Sequence, residues 1–251
     1  MSSSIWTQCA GESEVRPLAL EAYRAVEAQH QIATRKLVDS DAEQQALEEM
    51  IERVKPPAVG PARLHYLLST PFRYPPLRYG SRFGTRAERG IWYGSAVHGT
   101  LFAEVAYYRL LFLHGTSADL GIVATELTTF RATLRASRSI DLTTAPFGVH
   151  AGIISSPTSY VESQALGRAM REAAVEAFVF ISARDAERGR NVGAFEPSVF
   201  GRRQPRDLET WYCTATRAMV EVTRRDYFRH RSFTFPVQQF LVEGSLPTPA
   251  L

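Results

Sequence analysis

Hydrophobic positions along this chain switch between a helical and an extended period. Leu18, Leu20, Ala22, Tyr23, Val26 and Ala33 form a mixed stripe behind Pro17, which suits a first helical position, and they predict a helix over 17–36. Ser40-Asp41-Ala42-Glu43 has the capping-box pattern. Ala46, Leu47, Met50, Ile51 and Val54 then give an apolar face to a second helix, which Pro56-Pro57 stops. Residues 1–60 read as a helical hairpin, with a boundary near 55–61 where Gly60-Pro61 extends the break. In the body, residues 65–69 predict a short strand, followed by an irregular loop bent by Pro71, Pro75, Pro76, Gly80 and Gly84. Strands are predicted over 91–95, 123–134, 177–182, 192–195, 210–214 and 218–223, and helices over 100–113 and 158–173. The two kinds of element mix without strict alternation, which predicts an α+β fold rather than a doubly wound sheet.

The 251 residues suit one large domain, here a 1–60 extension and a 61–251 body. A hydrophobic fraction of 45% and a charged fraction of 22% exclude wholesale disorder and a collagen repeat. No stretch approaches the roughly 18 uncharged apolar residues of a membrane helix. The N-terminus lacks a basic segment followed by an apolar one, so no secretory signal is expected. Cys9 and Cys213 cannot form a disulfide framework, and with them a reducing, cytoplasmic location is expected. Charge is uneven: residues 1–60 carry −4 and residues 61–251 carry +7. A basic body favours an anionic partner. Only Lys36 and Lys55 are lysines, and the remaining bases are arginines, whose planar forks match phosphate oxygens.

Metal and nucleotide motifs of the common kinds are absent: no HExxH, CxxC, Walker A, GxSxG or GxGxxG occurs. The six histidines are scattered, without a metal-ligand partner at i+4, and Cys213 reads as an inert buried thiol. The informative stretch lies between Arg73 and Glu104. Residues 61–109 hold seven arginines and only two acids, Glu88 and Glu104. Arginines on Gly/Pro-bent loops form charge-assisted, bidentate bonds to phosphate groups. Tyr74 and Tyr93 offer flat surfaces for an aromatic ring. A lone glutamate among arginines suits a ribose hydroxyl or positive charge developing at an anomeric carbon. The competing reading is that the arginines are solvated or ion-paired and the tyrosines belong to the core.

On these residues the chain resembles the RES-domain toxins, NAD-degrading members of bacterial toxin–antitoxin systems. Arg73-Tyr74 resembles the family's first motif, and Gly80-Ser81-Arg82-Phe83 its Gly-Gly-Arg-Trp/Phe motif. Tyr93 and Glu104 match its Tyr and Glu at the same eleven-residue interval. Ser163-Gln164-Ala165-Leu166-Gly167 resembles its Ser/Thr-Gln-Ala-apolar-Gly helix, Phe180-Ile181-Ser182 its Val-Pro-Ser strand, and Asn191 through Pro197 its Asn…Asn-Pro ending. The resemblance spans roughly residues 65–205. Gly84 stands where the family usually has Asn, and Ile181 where it has Pro. Ser163 and Ser182 compete for the family's serine, and Ser163 is favoured as a helix residue able to face a cleft.

The resemblance implies a mixed, split β-sheet with surrounding helices, similar to diphtheria-type ADP-ribosyltransferases. It implies cleavage of the nicotinamide–ribose bond of NAD, with inorganic phosphate or water as acceptor. NAD is then a substrate, phosphate a co-substrate, and neither a bound cofactor nor a metal is expected, because the leaving group already carries a positive charge. Arg73, Glu104 and Ser163 are the expected catalytic residues, and Tyr74, Arg82, Tyr93, Gln164 and Ser182 the expected binding residues for NAD or phosphate. An Xre-type antitoxin is the implied protein partner, and any DNA contact is expected to come from it. For residues 1–60, a stabilising cap stands beside an antitoxin or homo-oligomer contact. Two other functions remain open: ADP-ribosyl transfer to a macromolecule, disfavoured because Phe102 stands where a second acid would precede Glu104, and a basic RNA-binding module, which no RNP or KH pattern supports.

Overall fold

A computed structural model describes residues 4–28, 37–57, 59–61, 63–76, 79–225 and 230–248. In chain order its elements are α1 (Ile5–Gln8), β1 (Arg16–Glu27), α2 (Asp41–Val54), α3 (Tyr66–Arg73), β2 (Trp92–Ser95), α4 (His98–Gly115) and β3 (Val123–Asp141), then α5 (Ala151–Ile154), α6 (Val161–Glu172), β4 (Ala177–Ile181), β5 (Arg190–Ala194), β6 (Arg206–Ala215), β7 (Met219–Arg225) and β8 (His230–Pro236). All eight strands join one sheet in the order β1-β2-β5-β4-β3-β6-β7-β8, and β1 also pairs with β3. The ladders β1–β2, β2–β5, β5–β4, β4–β3 and β3–β1 therefore close a ring, from which β6, β7 and β8 extend as a flap. Only β3–β4 is parallel among these pairings, so the sheet is mixed and the fold is α+β, as the sequence predicts.

The first sixty residues depart from the predicted hairpin. Residues 16–27 form a strand, not a helix, and pair antiparallel with β3 from Arg16↔Ser139 to Glu27↔Leu127. Leu18, Leu20 and Ala22 recur at every second position and pack into one core with Phe130, Leu134 and Trp92, while Tyr23 and Ala25 pack on another. That two-sided burial produces the mixed stripe which resembles a helix in sequence. β1 is thus an interior part of the sheet and no separable cap. The rest of the predicted helix, 29–36, lies outside the described residues. The second predicted helix is present as α2: Ser40 Oγ accepts from Glu43 N (3.2 Å), and the Glu43 carboxylate accepts from Asp39 N (2.9 Å).

The predicted strand at 65–69 is the start of α3 instead. His65 caps it, Nδ1 accepting from Leu67 N (3.2 Å), and Leu67, Leu68 and Phe72 are buried on one side. Five residues are too few to separate the two periods. The remaining predicted elements are present, and β3 and β6 run well past their predicted ends because their polar ends pair in the ladder. β8 has no counterpart in the sequence reading; its residues Phe233 and Phe235 pack on the α4 core. Helix α4 is apolar almost all round, because it has sheet on one side and the wall of a cleft on the other. No helix among the described residues is long and apolar enough to cross a membrane.

Candidate active site

A cleft of about 720 Å³ opens beside α4, walled by the end of β1, by β2, by the loop at 81–82, by Tyr160 and by Phe180 and Asn191 of β4 and β5. That size suits a nucleotide-scale ligand. Glu104 projects from α4 into it. Two donors meet on a single oxygen: Ser182 Oγ and Asn191 Nδ2 each lie 2.7 Å from Glu104 Oε1. The sheet register sets both donors. Ser182 directly follows β4, Asn191 lies in β5 opposite Phe180, and Ser95 of β2 faces Asn191 across the next ladder. Ser95 Oγ donates to Asn191 Oδ1 (2.6 Å), which turns the amide nitrogen toward the glutamate. The Ser182 hydroxyl accepts from the backbone N–H groups of Arg184 and Asp185 (3.1 Å each), so its own hydrogen is directed at Glu104. Asp185 ties this loop to α4 by accepting from Thr100 Oγ1 (2.7 Å) and from Gly189 N (3.2 Å). Glu104 Oε2 has no hydrogen-bond partner among the described residues, which leaves it for a ligand.

Two arginines, Arg82 and Arg24, also line this cleft. Arg82 is almost fully buried; its guanidinium donates to the carbonyls of Ser156 (2.7 Å) and Ile154 (3.4 Å) and lies 4.9 Å from the Tyr160 ring centre. Tyr93 supports the loop beneath it, pairing with Ser81 Oγ (3.0 Å) and accepting from Phe83 N (3.3 Å). Burial pushes the Tyr93 phenol up to about 12, against the opposing pull of those bonds and of Arg82, so it is a neutral group at physiological pH.

Arg24 of β1 escaped the sequence reading. Its Nη1 donates to the Tyr93 carbonyl (2.7 Å), its guanidinium lies 5.7 Å from the Trp92 ring, and its Nε is buried without a hydrogen-bond partner. Burial lowers its pKa from 12.5 to about 10, yet it remains a cation at neutral pH. No carboxylate pairs with it among the described residues. A partly buried cation on a cleft wall, without such a partner, is costly in the empty protein and complementary to an anion. The signal was a charged residue at an inward position of the alternating Leu18, Leu20, Ala22 row, visible only once those residues are read as a strand.

Four predicted site residues lie elsewhere. The Arg73 guanidinium sits at the end of α3 and donates to the carbonyl of Pro56, and neither Arg73 nor Tyr74 lines the cleft. Pro71 lies inside α3, so the start of the segment taken as loop is helical, with Arg73 as its last residue and Tyr74 as its extended cap. Ser163 is 1% exposed and donates to the Tyr160 carbonyl of its own helix (3.1 Å). The serine beside Glu104 is Ser182. Gln164 is a clamp for the arginine loop: its Nε2 donates to the carbonyls of Tyr79 (3.2 Å) and Ser81 (3.0 Å). Gly80 is required there, with φ +73° and a Cβ position 2.8 Å from Gln164 Nε2.

The order of these residues along the chain, Arg82, Tyr93, Glu104, Ser182 and Asn191, now has a geometric meaning, and it coincides with a family match. The RES domain model matches residues 53–216. The chain belongs to the RES domain family. The matched span of this RES domain holds the cleft-lining residues except Arg24 to Glu27, which β1 supplies from outside it. No curated protein sequence matches the chain. Among solved structures, a chain from the M. tuberculosis MbcT–MbcA toxin–antitoxin complex is similar at 14% identity and a TM-score of 0.47, covering 83% of this chain and 92% of that chain.

Proposed function

We propose that this RES domain is the toxin of a toxin–antitoxin pair and acts by cleaving the nicotinamide–ribose bond of NAD. The observation that carries the reading is Glu104, held on one oxygen by Ser182 and Asn191 and open on the other, in a cleft that Arg24 and Arg82 also line. In this mechanism Arg24 and Arg82 bind the pyrophosphate, replacing the part assigned to Arg73 from sequence. Tyr93 and Phe180 wall the nicotinamide pocket. Glu104 Oε2 accepts from a hydroxyl of the nicotinamide ribose and stabilises positive charge as it develops at C1′. The C1′–N bond breaks with its electron pair going to the ring nitrogen, which neutralises the nicotinamide as it leaves. An oxygen of inorganic phosphate or water forms the new bond to C1′, and where water is the acceptor its proton passes to the solvent. Ser182 and Asn191 hold Glu104 aimed, and Ser95 keeps Asn191 aimed.

An Xre-type antitoxin is the partner this reading implies, with inhibition by covering the cleft. Phosphate as acceptor is preferred over water because the site already concentrates arginine. The test is purified protein incubated with NAD, with and without inorganic phosphate, followed by separation of products. Nicotinamide with a phosphorylated ADP-ribose formed only when phosphate is present is the expected result. Nicotinamide with free ADP-ribose in both conditions assigns water as the acceptor. Intact NAD, with folded protein free of any inhibitor, overturns the proposal and leaves transfer to a macromolecule as the next reading.

A further inference from the structure

The cleft extends well past the groups used above. From Glu104 it follows the outer face of α4 to Phe112, eight residues or about 12 Å of helix rise. On the other wall it follows β1 from Arg24 to Glu27, about 10 Å of strand. With the pyrophosphate on Arg24 and Arg82, this is the direction a second nucleoside has to take. Tyr108 and Phe112, both more than half exposed, offer faces for a purine. At the far end Arg109 of α4 pairs with Glu27 of β1, Nη2 to Oε1 at 2.7 Å.

The two partners are unequally accessible. The Arg109 side chain is 21% exposed, whereas the Glu27 side chain is 64% exposed. An incoming group meets the carboxylate first. A ribose hydroxyl can donate to it, and a phosphate in the same place cannot and is repelled. Acidic residues on a ribose 2′-hydroxyl serve this selection in dinucleotide sites of unrelated fold.

We infer that Glu27, fixed by Arg109, makes the cleft selective for a dinucleotide whose adenosine ribose carries a free 2′-hydroxyl, and that it excludes the 2′-phosphorylated form. The inference rests on the proposed placement of NAD, but its test needs no turnover. Binding of AMP and of adenosine 2′,5′-bisphosphate is measured by calorimetry at fixed, low ionic strength, for the wild type and for Glu27→Gln. In the wild type the bisphosphate binds roughly tenfold more weakly than AMP, the size of one like-charge contact at a partly exposed site. In Glu27→Gln the two ligands bind within about threefold of each other, roughly the residual expected once that charge is gone. Equal or tighter binding of the bisphosphate to the wild type overturns the inference. So does failure of AMP to bind, or an unchanged ratio in Glu27→Gln. AMP carries no scissile nicotinamide bond, so a protein that discriminates these ligands yet leaves NAD intact refutes the cleavage reading alone. A protein that cleaves NAD and binds both ligands equally refutes the selectivity alone.

Discussion

Replacing Arg24 by methionine separates a functional arginine from a structural one. The shift of Arg24 from 12.5 to about 10 is set by burial. At about 1.36 kcal/mol per pKa unit, this makes its charge unfavourable in the folded protein by roughly 3 kcal/mol, an upper figure. Against that stands one charge-assisted bond to the Tyr93 carbonyl at 2.7 Å, worth about 1.5–3 kcal/mol. Methionine keeps much of the volume and removes both terms. The expected stability is therefore that of the wild type or up to about 2 kcal/mol above it, as found when buried ions give way to apolar side chains. NAD cleavage is expected to fall by about a hundredfold or more, because a principal pyrophosphate contact is lost. The assay pairs urea unfolding, read by linear extrapolation, with nicotinamide release under the same buffer. Loss of more than about 2 kcal/mol would show that Arg24 holds the fold together. Wild-type cleavage by a stably folded Arg24→Met protein would refute its place in the cleft.

Three further outcomes follow from the same geometry. Arg73→Ala and Ser163→Ala are expected to keep cleavage within about threefold of wild type, whereas Ser182→Ala lowers kcat by about ten- to a hundredfold through loss of a donor to Glu104, with KM little changed, in steady-state nicotinamide release. A Cβ at Gly189 would fall inside Thr100 Oγ1 and Asp185 Oδ2, so Gly189→Ala is expected to break the tie between α4 and the Ser182 loop and to cost about 1–3 kcal/mol in urea unfolding. His98, stacked on Tyr23 at 4.2 Å and beside Trp211, has its pKa lowered by burial and by Arg231. The unfolded chain then binds the proton more tightly, so the stability His98 contributes is present above about pH 6.5 and is lost as pH falls below it; His98→Gln flattens that part of the stability–pH curve.

Much of the site chemistry was legible because it is local. Tyr93 and Glu104 are placed by elements that declare themselves, a short strand of Ile91, Trp92 and Tyr93 and a long helix with few breaks. Arg82 is announced by the glycines around it, since the turn it occupies needs Gly80 at positive φ. The strand at 177–181 is uniformly apolar because it is buried on both faces, and that run is readable from composition alone. Helix α2 carries its own cap. In each case the decisive interaction lies within a few residues of the signal.

The sequence by itself determined an α+β chain with a basic, arginine-rich loop preceding a single glutamate on a helix. Only the tertiary structure decided which distant residues meet that glutamate. Residues 16–27 satisfy a helical stripe as well as a strand, and the open edge of β3, more than a hundred residues later, settles the choice by offering backbone partners from Leu18↔Ala136 to Glu27↔Leu127. That pairing turns Arg24 into the cleft. In sequence Ser163 and Ser182 compete and Ser163 is favoured; the ladder that sets Phe180 against Asn191 instead brings Ser182 and Asn191 together on one oxygen of Glu104, and the helix pitch buries Ser163 against its own backbone. Long-range backbone pairing carries no mark at the positions it joins, so the residues it assembles can be named only once the sheet is built.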